Sequence, residues 1–113
     1  MAAAAAGASA VLLGAFGAHA LHGVLDARGV ELWRTAVDYH FWHALALALT
    51  AIVARGGRAR TTAAVAFGLG IVLFSGSLYA LALGAPHWTG AITPFGGVAF
   101  IVGWIALGFA LRP

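Results

Sequence analysis

Histidine is the residue type in this sequence whose spacing could support chemistry. His19 and His22 lie three residues apart, and so do His40 and His43. Residues three apart share one face of an α-helix, so each pair can present two imidazoles together. Imidazole binds zinc, copper and iron, and one histidine from each of two facing helices could hold a haem iron axially. A metal or haem site is therefore one interpretation of the pattern.

The other residue types offer less reactivity. The chain contains no cysteine, which excludes disulfides, thiolate metal sites and a cysteine nucleophile. Ser75 and Ser77 flank a glycine, as in a nucleophile elbow, but such an elbow needs a turn from a strand into a helix. The surrounding apolar run predicts a helix instead, so we expect no catalytic residue here.

The composition indicates the environment that must position these residues. Of the 113 residues, 63% are hydrophobic and 8% are charged, whereas soluble domains have about 45–50% apolar and about 25% charged residues. The net charge of +3 comes from arginines that are scattered or flank apolar runs, which argues against a nucleic-acid partner. The chain is also too short for two domains.

Four apolar stretches are long enough to cross a bilayer. They cover about residues 2–25, 37–54, 62–83 and 94–111. A helix needs about 20 apolar residues to span the hydrocarbon core, and backbone groups in lipid must be hydrogen-bonded within their own segment. We therefore predict an all-α integral membrane bundle of four transmembrane helices, a single domain over residues 1–113.

The connecting segments carry signals of their own. Asp26 is a suitable N-cap, and Val30, Trp33 and Val37 recur after it at helical spacing. This pattern predicts a short interfacial helix between the first and second spans, running into the second. Thr93 followed by proline predicts the start of the fourth helix.

The arginines predict the orientation. Four spans place both termini and the loop between the second and third spans on one side. That side carries Arg55, Arg58, Arg60 and Arg112, whereas the opposite side has two arginines diluted by three acidic residues. Because basic residues accumulate in cytoplasmic loops, we expect a multi-pass protein of the plasma (inner) membrane with both termini in the cytoplasm.

Polar residues inside the spans converge at one depth of the predicted bundle. His19 lies six residues before the predicted end of the first span, and His43 six residues after the predicted start of the second. At about 1.5 Å per residue, each lies about 9 Å inside its helix end. The outer third of the bundle also holds Ser75, Ser77, Tyr79 and Thr93. These six residues are the predicted buried polar site.

Two interpretations of this polar site remain open. In one, the side chains bond to one another and to backbone carbonyls and hold the helices in register. In the other, they bind a ligand or a proton, because polar groups at depth are costly unless paired. The metal interpretation is weaker, since the spans supply no acidic residue at that depth and His22 and His40 are expected at the interface. We expect no resident metal or cofactor.

A series of short motifs resembles a known family. The motifs are Gly14-Ala-Phe-Gly-Ala-His19, Thr35-Ala-Val with Tyr39 and His43-Ala-Leu-Ala-Leu47, Leu73-Phe-Ser-Gly-Ser-Leu-Tyr79, Ile92-Thr-Pro and Gly96-Gly97. Their order and spacing resemble the domain of unknown function 423 family over nearly the whole chain. The resemblance implies a four-helix inner-membrane protein without an established activity, and its motifs include every residue of the predicted site but not His22 or His40.

Three functions fit these features. The first, which we favour, is a non-catalytic membrane subunit or scaffold that binds lipid, a membrane-protein partner or a second copy of itself. The second is a small oligomeric transporter or proton-coupled permease, although the spans hold no acidic residue except Asp38 at the rim. The third is a metal- or haem-binding membrane protein that uses His19 and His43.

Overall fold

The computed structural model describes residues 1–53 and 56–113, which form helices joined by short connections. Helices α1 to α4 span Ala2–His19, Ala27–Val53, Arg58–Ala82 and Thr93–Ala110, in that order. A short 3-10 helix at His87–Ala91 precedes α4. No strand occurs in the described residues, and the all-α class is confirmed for them.

Within residues 1–53 and 56–113, three helical segments are long and apolar enough to cross a membrane. They are Ala2–His19, Arg58–Ala82 and His87–Ala110. Helix α2 has 27 residues, but its first half carries charged residues and its middle carries two histidines, which lower its hydropathy. The predicted span 37–54 lies within α2 as far as Val53, while residues 54 and 55 lie outside the described part of the chain. That α2 also crosses the membrane stays a prediction.

Helix α1 ends earlier than the sequence predicts. A span over residues 2–25 was expected, but the helix ends at His19. The N–H groups of Ala20 and Leu21 both donate to the Phe16 carbonyl, and Gly23 then takes a left-handed φ of 77°. Glycine adopts this conformation without steric cost, so the chain can turn here and bury Leu21. The predicted helix end at residue 25 is therefore wrong.

Helix α2 begins where the predicted interfacial helix begins. The Oδ1 atom of Asp26 accepts a 2.7 Å hydrogen bond from the Gly29 N–H, as expected of an N-cap. From Ala27 the helix then continues without a break to Val53. The segment predicted to lie in the interface is thus continuous with the predicted second span, in one helix.

The helices pack in chain order. Helix α1 packs on α2, α2 on α3, and α3 on α4. A cluster of buried hydrophobic residues lies among α2, α3 and α4; its members are Ala46, Leu47, Ala63, Phe67, Phe100, Ala106 and Leu107. Helix α2 therefore occupies the centre of the fold, and its side chains can reach all three of the other helices.

Glycines opposite large side chains allow these close approaches. On α3 and α4 the arrangement is reciprocal, because Phe100 covers Gly70 and Phe67 covers Gly103. Between α1 and α2, Trp33 covers Gly17. Small residues at helix contacts are typical of membrane proteins, where packing rather than the hydrophobic effect holds helices together.

The closest approach lies at a π-helical turn in α3, Ile71–Ser75. A Cβ added to Gly96 of α4 would overlap the backbone nitrogen of Phe74 and lie 2.7 Å from its Cα atom. Such wide turns are rare and often occur at functional sites. Here the turn brings the α3 backbone against the beginning of α4, so a side chain at position 96 has no space.

We predict that Gly96→Ala destabilises the protein, because its methyl group meets backbone atoms that cannot rotate away. The expected loss in free energy of unfolding is about 1–3 kcal/mol, measured by circular dichroism during denaturant titration in detergent micelles. Gly97→Ala is the matched control, since its Cβ would meet only Phe74 Cδ2, at 4.0 Å. Equal stability of the two variants would show that α3 and α4 are not this close.

Candidate functional site: a buried polar network and an adjoining groove

The structure does not bring all six residues of the predicted polar site together. His43, Ser75 and Ser77 are buried, and Tyr79 and Thr93 are half-buried. His19 is the last residue of α1 and is exposed. Its predicted depth assumed six further helical residues, which the turn at Gly23 replaces.

His43 lies at the centre of the bundle, surrounded by aromatic rings. Its ring stacks on Phe100 with centroids 3.6 Å apart and planes 10° from parallel. Its Nδ1 atom lies 2.7 Å from the Tyr39 carbonyl oxygen, and Trp104 Nε1 donates to its Nε2 atom at 3.1 Å. Trp104 is not among the residues that the sequence predicts for the site.

These two hydrogen bonds define the protonation of His43. A carbonyl oxygen only accepts, so Nδ1 carries the hydrogen that bonds to Tyr39. An indole N–H only donates, so Nε2 contributes its lone pair to Trp104. His43 is therefore a neutral imidazole with both nitrogens occupied. Binding a haem or metal through Nε2 would require breaking the bond to Trp104.

His40 links three helices, although the sequence places it at the membrane interface. It is only 4% exposed. Its Nδ1 atom lies 2.9 Å from the hydroxyl of Tyr79 on α3, and its Nε2 atom lies 3.1 Å from Ser9 Oγ on α1. His40 therefore lies on the face of α2 that points into the bundle, and its position at the membrane interface stays a prediction.

The direction of this hydrogen-bond chain follows from its end. Ser9 Oγ lies 2.8 Å from the Ala5 carbonyl oxygen, which takes the one hydroxyl hydrogen. Ser9 then accepts from His40 Nε2, and the Tyr79 hydroxyl donates to Nδ1. We assign His40 as neutral, with its hydrogen on Nε2, the tautomer opposite to that of His43. Bonds aligned in one direction strengthen one another.

Three hydroxyl groups, those of Ser75, Ser77 and Thr93, form hydrogen bonds between α3 and its neighbouring helices. Ser75 Oγ donates to the Ala36 carbonyl of α2 at 2.7 Å. Ser77 Oγ donates to the Phe74 carbonyl at 2.9 Å and lies 2.6 Å from Thr93 Oγ1, which donates to it. In the described residues, every buried side-chain nitrogen and oxygen has a hydrogen-bond partner. Together these side chains form the polar network: Ser9, His40, His43, Ser75, Ser77, Tyr79, Thr93 and Trp104.

The polar network extends along the bundle instead of occupying one depth. Thr93 and Trp104 lie eleven residues apart on α4, which is about 16 Å of helix. The two histidine pairs of the sequence also do not converge, since His19 and His22 are exposed and His40 and His43 are buried. Among the described residues there is no group of three or more histidine or acidic side chains placed to hold a metal ion.

A groove adjoins this network, and sequence reasoning missed it. It lies between the end of α1 and the beginning of α2 and has a volume of about 260 Å³. Its apolar walls include Gly14, Gly17, Leu21, Trp33 and Val37, while its polar lining comes from His22, Arg34 and Asp38. The early turn after α1 creates it, because the chain leaves α2 uncovered beyond His19. Arg34 and Asp38, one helical turn apart beside an apolar face, were the available signal.

Trp33 connects the groove to the polar network. Its indole N–H donates to the Leu13 carbonyl of α1 at 2.9 Å, and its ring lies 4.7 Å from that of Tyr79. Tyr79 in turn bonds to His40. The wall of the groove and the network are thus parts of one packed unit.

Removing the indole donor should destabilise the protein measurably. Trp104→Phe keeps an aromatic ring but leaves His43 Nε2 buried without a partner, at an expected cost of about 1 kcal/mol. Denaturant titration in detergent micelles measures this loss in the free energy of unfolding. Trp42→Phe is the control: Trp42 is 53% exposed, and its replacement should change stability by less than about 0.5 kcal/mol. Equal losses would contradict the role of Trp104.

The two buried histidines should be distinguishable by their tautomers. With ¹⁵N-labelled histidine, NMR at neutral pH should show one buried ring protonated at Nδ1 and one at Nε2. Tyr79→Phe should perturb only the Nε2–H ring, and Trp104→Phe only the Nδ1–H ring, since each removes the donor to one histidine. Identical tautomers, or a doubly protonated ring, would overturn the assignment.

The chain is similar to membrane proteins from several bacteria. The family described as "Protein of unknown function (DUF423)" matches residues 13–97. The UPF0382 membrane protein YwdK of Bacillus subtilis is 50% identical over 101 residues, 87% of this chain and 82% of that protein. The UPF0382 membrane protein of Haemophilus influenzae is 40% identical over 100 residues, 88% and 81% of the two chains.

A relative named as an inner-membrane protein extends this comparison. The UPF0382 inner membrane protein YgdD of Escherichia coli is 42% identical over 97 residues, 83% of this chain and 73% of that protein. No solved structure matches the chain. The resemblance of the sequence motifs is therefore confirmed: this chain is a membrane protein and belongs to the DUF423 family.

Proposed function

We propose that this protein is a non-catalytic, lipid-binding protein of the plasma (inner) membrane, with four spans and both termini in the cytoplasm. The observation that carries the proposal is the groove between α1 and α2. Its walls are apolar, and its charged side chains are exposed at one end of the bundle. An amphiphile with a charged head and an apolar tail matches this distribution.

The position of the groove supports a membrane lipid as the occupant. The charged residues of α2 end at Asp38, and the following residues are mainly apolar. In a membrane-spanning α2, Arg34 and Asp38 therefore lie at the level of the headgroups. The apolar walls at Gly14 and Val37 lie at nearly the same level, because Val37 directly precedes Asp38 and a Cβ on Gly14 would lie 3.3 Å from the Val37 side chain.

The size of the groove supports partial enclosure of the ligand. Pockets that bury a drug-sized molecule have about 300–1,000 Å³, and this groove has about 260 Å³. It can hold a headgroup and the beginning of a chain, while the remainder of the lipid stays in the bilayer. A bound lipid would therefore need no path through the protein.

The polar network supports a structural rather than a catalytic role for the histidines. The hydrogens and lone pairs of His40 and His43 are all used: three of these bonds reach other helices, and the fourth joins His43 to the Tyr39 carbonyl of α2 itself. Ser75 and Ser77 donate to backbone carbonyls. None of these four residues lines the groove. In this proposal the network holds the helices in register so that the groove keeps its shape.

Filling the groove should displace the lipid. Ala18 is exposed and lines the groove, so Ala18→Trp should occupy it without disturbing the core. Native mass spectrometry of protein extracted in mild detergent should show one retained phospholipid on the wild type and a loss of at least about tenfold in the variant.

Ala15→Trp is the matched control, because Ala15 is an exposed alanine on the same helix, outside the groove lining. It should retain the lipid. A wild type that carries no phospholipid, or equal retention by both tryptophan variants, would refute the lipid-binding function.

A further inference from the structure

We infer that the groove recognises a phospholipid whose headgroup carries a phosphate and a primary ammonium, joined by a short linker, as in phosphatidylethanolamine. This inference rests on the lipid-binding function proposed above and adds the chemical class of the lipid. It rests on the charges at the groove mouth, the exposed part of the groove where Arg34 and Asp38 place one cation and one anion on the same face of α2.

Arg34 and Asp38 supply these charges. Both are exposed, and both line the groove. They lie four residues apart on α2, which separates them by about 6 Å along the helix axis and places them on one face. A headgroup that lies across the mouth can therefore touch both side chains at once.

Arg34 suits the phosphate. The guanidinium group is planar and presents N–H donors in a fork that matches two phosphate oxygens. His22 lines the groove beside it and offers a further ring nitrogen as a donor. Every phospholipid has a phosphate, so this contact alone favours no class of headgroup.

Asp38 is the residue that would distinguish a primary ammonium headgroup from the headgroups of other phospholipids. A carboxylate accepts hydrogen bonds, and a primary ammonium has three N–H donors. A quaternary ammonium has no N–H donor and is bound best by open aromatic faces. The aromatic wall of the groove is Trp33, which is 5% exposed and already packs against Phe16 and Tyr79. A purely anionic headgroup would bring a second negative charge towards Asp38.

Competition among lipids with identical acyl chains tests the inference. Delipidated protein is mixed with equal amounts of dioleoyl phosphatidylethanolamine, phosphatidylcholine and phosphatidylglycerol, and native mass spectrometry counts each bound species. We expect phosphatidylethanolamine to exceed each of the others by about two- to fivefold, as an exposed ion pair provides.

Three variants assign this preference to its side chains. Asp38→Asn should abolish the preference while the protein still binds lipid, and Arg34→Gln should weaken binding of all three lipids. Glu31→Gln is the control, because Glu31 is an exposed acid of α2 outside the groove lining; it should keep the preference. These side chains are exposed, so the changes leave the core intact.

The outcomes distinguish the headgroup assignment from the lipid-binding function on which it rests. Equal binding of the three lipids, a preference for phosphatidylglycerol or phosphatidylcholine, or an undiminished preference in Asp38→Asn would overturn the headgroup assignment and leave lipid binding standing. Absence of any bound lipid in the wild type would overturn both.

Discussion

In a bilayer, a buried polar group that lacks a hydrogen-bond partner cannot turn to water, and this constraint governs the placement of His40 and His43. Helix α2 carries both imidazoles on its inner face. Each needs one acceptor and one donor, and these must come from neighbouring helices or from the helix's own backbone. Ser9, Tyr79 and Trp104 provide three of the four from α1, α3 and α4, and the Tyr39 carbonyl of α2 provides the fourth. A shift of any helix by one turn would leave an imidazole nitrogen unpaired.

The glycine contacts make these hydrogen bonds geometrically possible. Trp104 can reach His43 only if α4 lies close to the centre of the bundle, and Gly103 beside it accommodates Phe67. Likewise, Gly17 accommodates Trp33, so that α1 lies near enough for Ser9 to meet His40. Dispersion forces and hydrogen bonds therefore specify the same helix positions, which is the consistency expected of a sequence with one folded state.

The sequence was a good guide where hydropathy and position along the chain decide the structure. The all-helical class follows from the length of the apolar runs, and the start of α2 follows from Asp26. The inward placement of His43, Ser75 and Ser77 follows from the cost of polar groups in lipid. These features depend on patterns of neighbouring residues, so they can be predicted from a single sequence.

Two features were not predicted: the position at which α1 ends and the placement of His40 on the buried face of α2. His19 was placed at depth because an apolar run of residues 2–25 contains no sign that Gly23 takes a left-handed φ. His40 is expected at the membrane interface and is not among the six residues of the predicted polar site. Its spacing from Ala36 and His43, four and three residues, puts it on the buried face and could have revealed it.

Other features have no signal in a single sequence. Ser9 stands in an alanine-rich stretch, and only the packing of α1 on α2 brings it to His40. The π-helical turn at Ile71–Ser75 lies against Gly96 of α4, and nothing in the residue types of this turn distinguishes it from a regular α-helix. Both depend on the distance between helices, which composition and periodicity do not encode.

Trp33 contacts both parts of the candidate site, the groove and the polar network. It forms a wall of the groove, bonds to the backbone of α1 and packs against Tyr79 of the polar network. A ligand in the groove would touch a side chain that is held on its other sides by α1 and α3. Tyr79 is thus shared, because it packs against this wall of the groove and also bonds to His40. If the groove binds a lipid as proposed, His40 would contribute without touching the ligand, because it bonds to Tyr79, and the Tyr79 ring packs against Trp33.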